Sequence, residues 1–188
     1  MGLEIDPDRV AHAQGTQEPG LSFELGGFEV PAPTKPVLIR AANVLRQYPV
    51  ESVQPHWEQL LSRCTTAVID ATCDELGRLC SWIGLVPGQG PATFTISMQL
   101  SSIEQPSDVA ARLPKALIHR NIPGEPVGDF LARLDALWRK HAPLATYGPR
   151  QRWIAVVEEL ATSDIDVIGG PSRWRLGELT VPASYFFP

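Results

Sequence analysis

The most constraining feature of this sequence is a change of hydrophobic period along the chain. From Phe94 to Leu100, apolar residues occupy every second position, which is typical of a half-buried β-strand. The segments 129–141 and 149–162 instead place apolar residues three and four positions apart, which predicts two amphipathic helices. Because a chain with both periods must pack helices against a sheet, we predict the α+β class.

Further strands are predicted at both ends of the chain. Gly26 and Gly27 separate two short alternating runs, and a Gly-Gly pair favours the tight turn of a hairpin, so residues 21–30 are predicted to form an N-terminal β-hairpin. Residues 165–168 and the segment WRLGELTVPASYFF predict C-terminal strands. With the one mid-chain strand, these strands would form a small antiparallel or mixed sheet.

Helical spacing predicts two more helices before the mid-chain strand. A short helix is predicted from Pro36 to Gln47, since proline suits the first helical position. The longest helix is predicted from about Pro55 to Leu85, and its two apolar stripes would place it at the centre of the core. Asp70, Asp74 and Arg78 lie four positions apart within it, which we interpret as a solvated helical face.

Composition divides the chain into an arm and one domain. Residues 1–20 are polar, acidic and rich in Gly, Pro and Gln, which predicts a flexible N-terminal arm. In a chain of 188 residues that is 44% hydrophobic, residues 21–188 suffice for a single α+β domain. No apolar run approaches the roughly 20 residues that cross a bilayer, and the acidic N-terminus is unlike a signal peptide. We expect a protein of the cytoplasm, or of an assembled particle, that does not associate with a membrane.

The charge pattern argues against a nucleic-acid partner. The formal net charge is -5, and the Lys and Arg residues are scattered singly or in pairs. Nucleic-acid binders concentrate basic residues on one face or along one helix. The sequence also carries no phosphate-loop or metal-ligand motif, so we expect no cofactor and no metal ion.

The chain contains three cysteines, which all fall within the predicted long helix: Cys64, Cys73 and Cys80. An odd number of cysteines without a C-x-x-C spacing predicts small buried side chains in a reducing compartment. One alternative is a small cysteine-dependent enzyme. Its site would combine Cys80 with His119 and with either Asp74 or Asp129.

Aromatic residues near the two ends of the predicted domain are the candidate partner-binding residues: Phe23, Phe28, Tyr185, Phe186 and Phe187. The last three form an aromatic tail. Because such side chains bury about 150–250 Å² each, the tail must pack either on the chain's own core or into a partner, and both alternatives stay open. The 18 prolines suit extended segments that wrap a partner surface.

These observations lead to one functional expectation and one further binding alternative. We expect a non-catalytic protein-binding or assembly subunit of a larger bacterial or phage complex. Its partners would be other protein subunits, including copies of itself. The alternative is an antitoxin or immunity-type protein, whose acidic surface would match a basic toxin.

Overall fold

The chain folds as helices packed on a mixed five-stranded sheet, with a second sheet of two short parallel strands near the N-terminus. A computed structural model describes residues 1–187, and Pro188, the last residue of the predicted domain, lies outside them. The predicted α+β class is confirmed. No helix in residues 1–187 is both long enough and apolar enough to cross a membrane.

The strands and helices alternate irregularly along the chain. The strands are β1 (Gly2–Glu4), β2 (Phe23–Leu25), β3 (Leu38–Ala42), β4 (Ala67–Cys73), β5 (Leu79–Val86), β6 (Gly90–Met98) and β7 (Glu178–Pro182). The α-helices are α1 (Pro7–Gln14), α2 (Val53–Ser62), α3 (Lys115–Ile118), α4 (Pro126–Lys140), α5 (Pro149–Ala161) and α6 (Pro171–Trp174). Short 3₁₀ segments lie at Leu45–Gln47, Val50–Ser52, Pro106–Arg112, Ala142–Tyr147 and Ala183–Tyr185.

The large sheet has the strand order β3-β4-β5-β6-β7. Strands β3 and β4 are parallel and are connected through α2, since parallel neighbours need a crossover connection. The other neighbours are antiparallel. Strands β5 and β6 are joined by a tight turn, where Gly88 and Gly90 have φ of 80°. Strand β7 returns to the sheet after all of the long helices and pairs with β6.

One face of this sheet forms the floor of the hydrophobic core. Val68, Ile83, Phe94 and Val181 lie on it and are at most 1% exposed. Helices α2, α4 and α5 bury their apolar sides in the same core cluster. The alternating segment predicted as a strand is confirmed as β6, and the two amphipathic helices are confirmed as α4 and α5, because each of these segments keeps a polar side toward solvent.

The predicted long helix from Pro55 to Leu85 is wrong. Helix α2 ends at Ser62, and the rest of the segment forms the β4–β5 hairpin, whose turn includes Gly77 at φ 68°. This stretch is rich in β-branched residues, which pack better in a strand than in a helix. The apparent helical stripes arose because apolar residues occupy both faces of these two strands.

Consequently, the carboxylates and cysteines assigned to that helix have other neighbours. Asp70 lies in β4, whereas Asp74 and Arg78 lie in the turn, where the Arg78 N–H donates to Asp74 Oδ1 at 2.7 Å. The predicted solvated helical face therefore does not exist. Cys73 and Cys80 are partners across two strands, rather than residues two turns apart on one helix.

The predicted N-terminal hairpin is also wrong. Strand β2 pairs in parallel with β1, and Gly26 donates its N–H to the Glu4 carbonyl oxygen at 3.0 Å. Thus the residues after Gly26 do not fold back on β2, because an earlier segment already occupies that place. A Cβ atom on Gly26 would lie only 2.7 Å from the Pro31 ring. The chain therefore needs glycine at this position because Pro31 approaches closely, rather than because of a hairpin turn.

Two other predicted elements change type. The segment Pro36–Gln47 forms strand β3 followed by a 3₁₀ turn, because pairing with β4 outweighs its helical spacing. Residues 165–168 contribute only an isolated bridge between Ile168 and Thr180, rather than a strand. Of the C-terminal strands expected in the last fifteen residues, β7 is present.

The segment predicted to be a flexible arm carries β1 and α1. Asp6 caps α1 by accepting the N–H groups of Asp8 and Arg9 at 2.9 and 3.3 Å. The β1–β2 pairing connects this segment to the rest of the chain. Its flexibility stays a prediction.

Candidate functional site on the uncovered sheet face

Phe186, in the predicted aromatic tail, lies in the core. Its side chain is 1% exposed and packs edge-to-face against Phe94 and Phe130, with ring centroids 5.1 and 5.5 Å apart. The Arg120 guanidinium donates a hydrogen bond to the Phe186 carbonyl oxygen. Of the two alternatives for the tail, packing on the chain's own core therefore applies to Phe186.

The other two tail residues are half-buried and fixed by contacts. The Tyr185 hydroxyl donates to the Asp164 carbonyl oxygen at 2.9 Å and accepts the Asp166 N–H at 2.8 Å. The Phe187 ring packs edge-to-face against Trp57 at 5.8 Å. The tail is therefore held by side-chain and backbone contacts within the chain.

The N-terminal aromatic candidates lie elsewhere. Phe28 stacks on His56, with centroids 3.9 Å apart, and Phe23 lies in β2 beside Gly2. No ring contact among the described residues joins either of them to the tail. The five predicted partner-binding residues therefore do not form one aromatic patch, and their role in binding stays a prediction.

A different surface is uncovered in the fold. Register partners in neighbouring strands point to the same side of a sheet, so Ala71, Trp82, Thr95 and Thr180 share the face opposite the core. We call this surface the open face. Its members are Leu38, Arg40, Ala42, Ala67, Ile69, Ala71, Cys73, Cys80, Trp82, Gly84, Thr93, Thr95, Ser97, Glu178, Thr180 and Pro182.

The helical elements that pack on the central strands meet the other face. Helix α2 reaches it through Trp57, whose Nε1–H donates to Asp70 Oδ2 at 3.0 Å. The 3₁₀ segment Pro106–Arg112 reaches it where the Ser81 hydroxyl donates to the Arg112 carbonyl oxygen at 2.6 Å. Ile69 and Trp82 are only half-buried, and neither belongs to the hydrophobic core cluster or packs against it. Ile69 and Trp82 therefore form an apolar pair among Ala and Thr side chains in the middle of the open face, away from the helices that pack on the central strands in residues 1–187.

Trp82 lies in the central strand of the open face. Its cross-strand neighbours Ala71 and Thr95 are 4% and 2% exposed, as expected for small side chains beside a large indole. The hydroxyls of Thr95 and Thr180 form a hydrogen bond of 2.9 Å across the next pair of strands. These contacts order the small side chains around Trp82, whose indole is the largest side chain on the open face.

The open face carries almost no charge. By register, its charged members are Arg40 on the edge strand β3 and Glu178 on β7. Glu178 is neutralised by Arg173, whose Nε–H donates to Glu178 Oε1 at 2.8 Å, and this ion pair raises the pKa of Arg173. A neutral, apolar centre of this kind suits contact with another apolar surface rather than with a charged ligand.

A pair of thiols stands at one end of the open face. Cys73 and Cys80 are direct partners between β4 and β5, and both are half-buried free cysteines. Burial raises the pKa of the Cys80 thiol to about 12, and the neighbouring Cys73 thiol and Asp74 carboxylate act in the same direction. Cys64 lies apart from them, just after the end of α2. It is buried, and its Sγ lies 2.9 Å from the Ala67 carbonyl oxygen.

One buried carboxylate lies beneath the sheet, on the core side. Asp70 is 2% exposed, and its described side-chain partner is the Trp57 indole. Burial raises the pKa of Asp70 from 3.8 to about 6, although the Trp57 hydrogen bond lowers it in part. Since it points into the packed core, Asp70 has a structural role rather than a place in an open site.

The enzyme alternative gains little from the geometry. Asp74 lies near Cys80, but no hydrogen bond in residues 1–187 joins Cys80, Asp74, His119 or Asp129 to another of the four. Asp129 instead accepts the Gly124 N–H at 3.0 Å. Within the same residues, no cluster of three or more His, Cys, Asp and Glu side chains is arranged to hold a metal ion.

The open face was missed in the sequence because its central residues, from Ile69 to Trp82, were assigned to a helix. The available signal was Trp82 in a mostly apolar run of seven residues from Leu79 to Leu85, which has the length of a strand, with a Gly-rich turn after it. Comparison with known proteins adds no assignment to this surface: no family model, no curated protein and no solved structure matches the chain.

Proposed function

We propose that this chain is a non-catalytic assembly subunit that binds a second copy of itself through the open face of its five-stranded sheet. The observation that carries the proposal is the partly exposed pair Ile69 and Trp82, which lies on a sheet face that the core does not use. Such a subunit would belong to a larger bacterial or phage complex. Its free cysteines fit the reducing cytoplasm.

The size of the open face supports pairing with an equal surface. Five strands spaced by about 4.8 Å span roughly 24 Å, and the strands are about 20 Å long at about 3.3 Å per residue. Each copy would thus contribute about 500 Å², and a face-to-face pair would bury about 1,000 Å², which is near the lower bound for a specific interface. Two sheets pack in this way at about 10 Å separation.

Charge supports a second copy as the occupant. A chain with a net charge of -5 repels its own copies across most of its surface. The centre of the open face brings no like charges together, because its strands carry only Arg40 and the paired Glu178 there. A two-fold pairing would bury one Trp82 from each copy, and tryptophan is the residue type most enriched in binding hot spots.

The test is the mass of the protein in solution as a function of concentration, by sedimentation equilibrium. We expect a monomer–dimer equilibrium for the wild type and a monomer for Trp82→Glu with an unchanged far-ultraviolet circular dichroism spectrum. The matched control is Tyr147→Glu, which changes a 74% exposed aromatic residue outside the sheet and should leave the dimer intact.

Two results would overturn the proposal. One is a folded wild type that stays monomeric at every concentration, which would leave the open face to a different protein. The other is a dimer that survives Trp82→Glu, which would place the contact on another surface.

A further inference from the structure

The arrangement of Cys73 and Cys80 has a chemical consequence that does not depend on the proposed function. The two residues are directly opposite each other in an antiparallel pair. The next residue pair is hydrogen-bonded, since the Asp74 N–H donates to the Leu79 carbonyl oxygen at 2.9 Å. The Cys73 N–H points the other way and donates to Asn43 Oδ1 at 2.9 Å. Cys73 and Cys80 therefore occupy a non-hydrogen-bonded site of the ladder.

Non-hydrogen-bonded sites bring opposite side chains closest together. In such sites the Cα atoms are about 4.5 Å apart. A disulfide requires a Cα separation of about 4.4–6.8 Å. The site thus permits a disulfide, at the short end of the range. Bonds at the margin of the preferred geometry are strained and more easily reduced.

While the open face is uncovered, as in the monomer, the two thiols are accessible to each other and to small molecules. Both lie on the open face and are half-buried, whereas Cys64 is buried. We propose that Cys73 and Cys80 form a reversible cross-strand disulfide, with a low-molecular-weight disulfide such as oxidised glutathione as the oxidant.

The thiol–disulfide exchange with oxidised glutathione proceeds in two steps. First, the Cys73 thiolate attacks one sulfur of oxidised glutathione, which forms a mixed disulfide and releases one glutathione thiolate. Second, Cys80 gives its proton to solvent and attacks the Cys73 sulfur, which forms the Cys73–Cys80 bond and releases the second glutathione thiolate. Two protein thiols are oxidised while the disulfide of the oxidant is reduced. Cys73 makes the first attack because, with its raised pKa, Cys80 holds little thiolate at neutral pH.

The experiment uses the full-length reduced protein under native conditions. The protein is incubated with oxidised glutathione at neutral pH, blocked with N-ethylmaleimide and measured by intact-mass spectrometry. We expect the wild type to lose two hydrogens and two sites of labelling, and to recover both after treatment with excess reduced glutathione. Because trypsin cleaves after Arg78, between the two cysteines, the disulfide should link the peptide that ends at Arg78 to the one that begins at Leu79.

Two variants separate this pair from other thiol chemistry. Cys64→Ser should form the same linked peptides, since Cys64 takes no part. Cys80→Ser should instead accumulate one stable glutathione adduct at Cys73, because the resolving thiol is absent. Undiminished labelling of Cys73 and Cys80 in the wild type would overturn the proposal. So would linked peptides that disappear in Cys64→Ser, or a stable glutathione adduct on the wild type. The linked peptide Cys64–Arg78 also contains Cys64, so fragmentation of the linked wild-type peptides assigns the bond to Cys73 without any variant having to fold.

Discussion

The two faces of the five-stranded sheet differ both in what covers them and in composition, since the open face carries its largest apolar side chains, Trp82 and Ile69, among Ala, Thr and Ser residues. On the core face, Phe94 and Ile83 are at most 1% exposed beneath the helices. On the open face, Trp82 and Ile69 are also apolar but remain partly exposed. The comparison shows that aromatic content alone does not decide which residues of this chain stay at the surface. The aromatic tail is conspicuous in the sequence, yet Phe186 completes the core, whereas an internal tryptophan remains at the surface.

The largest expected difference between the two faces is in how much a substitution lowers the free energy of unfolding. Phe186→Ala should lower the free energy of unfolding by about 3–5 kcal/mol, because it removes a buried ring that packs on Phe94 and Phe130. Trp82→Thr, which keeps a residue that favours strands, should cost less, about 1–2 kcal/mol, because part of the indole is already in contact with solvent. Urea-induced unfolding, followed by circular dichroism, measures both values. Equal losses for the two variants would show that the two faces are equally structural.

The same contrast explains why some elements could be predicted and others could not. Helices α4 and α5 each have one polar and one apolar side, and strand β6 alternates, so each keeps a local period that the sequence reveals. Strands β4 and β5 carry apolar residues on both faces, so their period of two disappears. Ile69, Cys73 and Cys80 on the open face combined with Ile83 on the core face into a false helical stripe.

Pairing between distant segments was the other source of error. Strand β3 exists because β4 lies beside it, and β2 because β1 does, and neither partner is adjacent in sequence. A glycine pair at 26–27 is locally compatible with a hairpin, but a parallel partner from the N-terminus decides the outcome. The full extent of the open face is not visible in the sequence for the same reason, since it is formed by strands that only the register brings together.

The second expected effect is the pH dependence of stability, which arises from Asp70 on the core face. Because the pKa of Asp70 is raised to about 6 in the folded chain, its contribution to stability is favourable below pH about 4 and is lost as the pH rises through about 6. The loss is on the order of 3 kcal/mol. Asp70→Asn keeps an acceptor for the Trp57 indole without the buried charge. It should therefore be more stable than the wild type at pH about 7 and should lose this part of the pH dependence.

Thermal unfolding of both proteins across this pH range measures the difference. The matched control is Asp74→Asn, which changes a carboxylate at the surface turn. If the wild type and Asp70→Asn show parallel stability curves between pH about 4 and about 7, the Asp70 carboxyl is not the group that titrates.

The smallest effect concerns the hydrogen bond between Thr95 and Thr180, which lies on the open face although Thr95 is buried. Thr95→Val and Thr180→Val each replace a hydroxyl by a methyl group of similar size, and the pair should show a coupling energy of about 0.5–1 kcal/mol in a double-mutant cycle. A hydrogen bond between exposed groups should show a smaller coupling energy, because water can replace either partner. A coupling energy near zero would mean that water reaches the pair freely, so that the open face is less ordered around Trp82 than the contacts indicate. A coupling within the expected range would show instead that the surface is already fixed before any partner covers it, which lowers the entropic cost of binding.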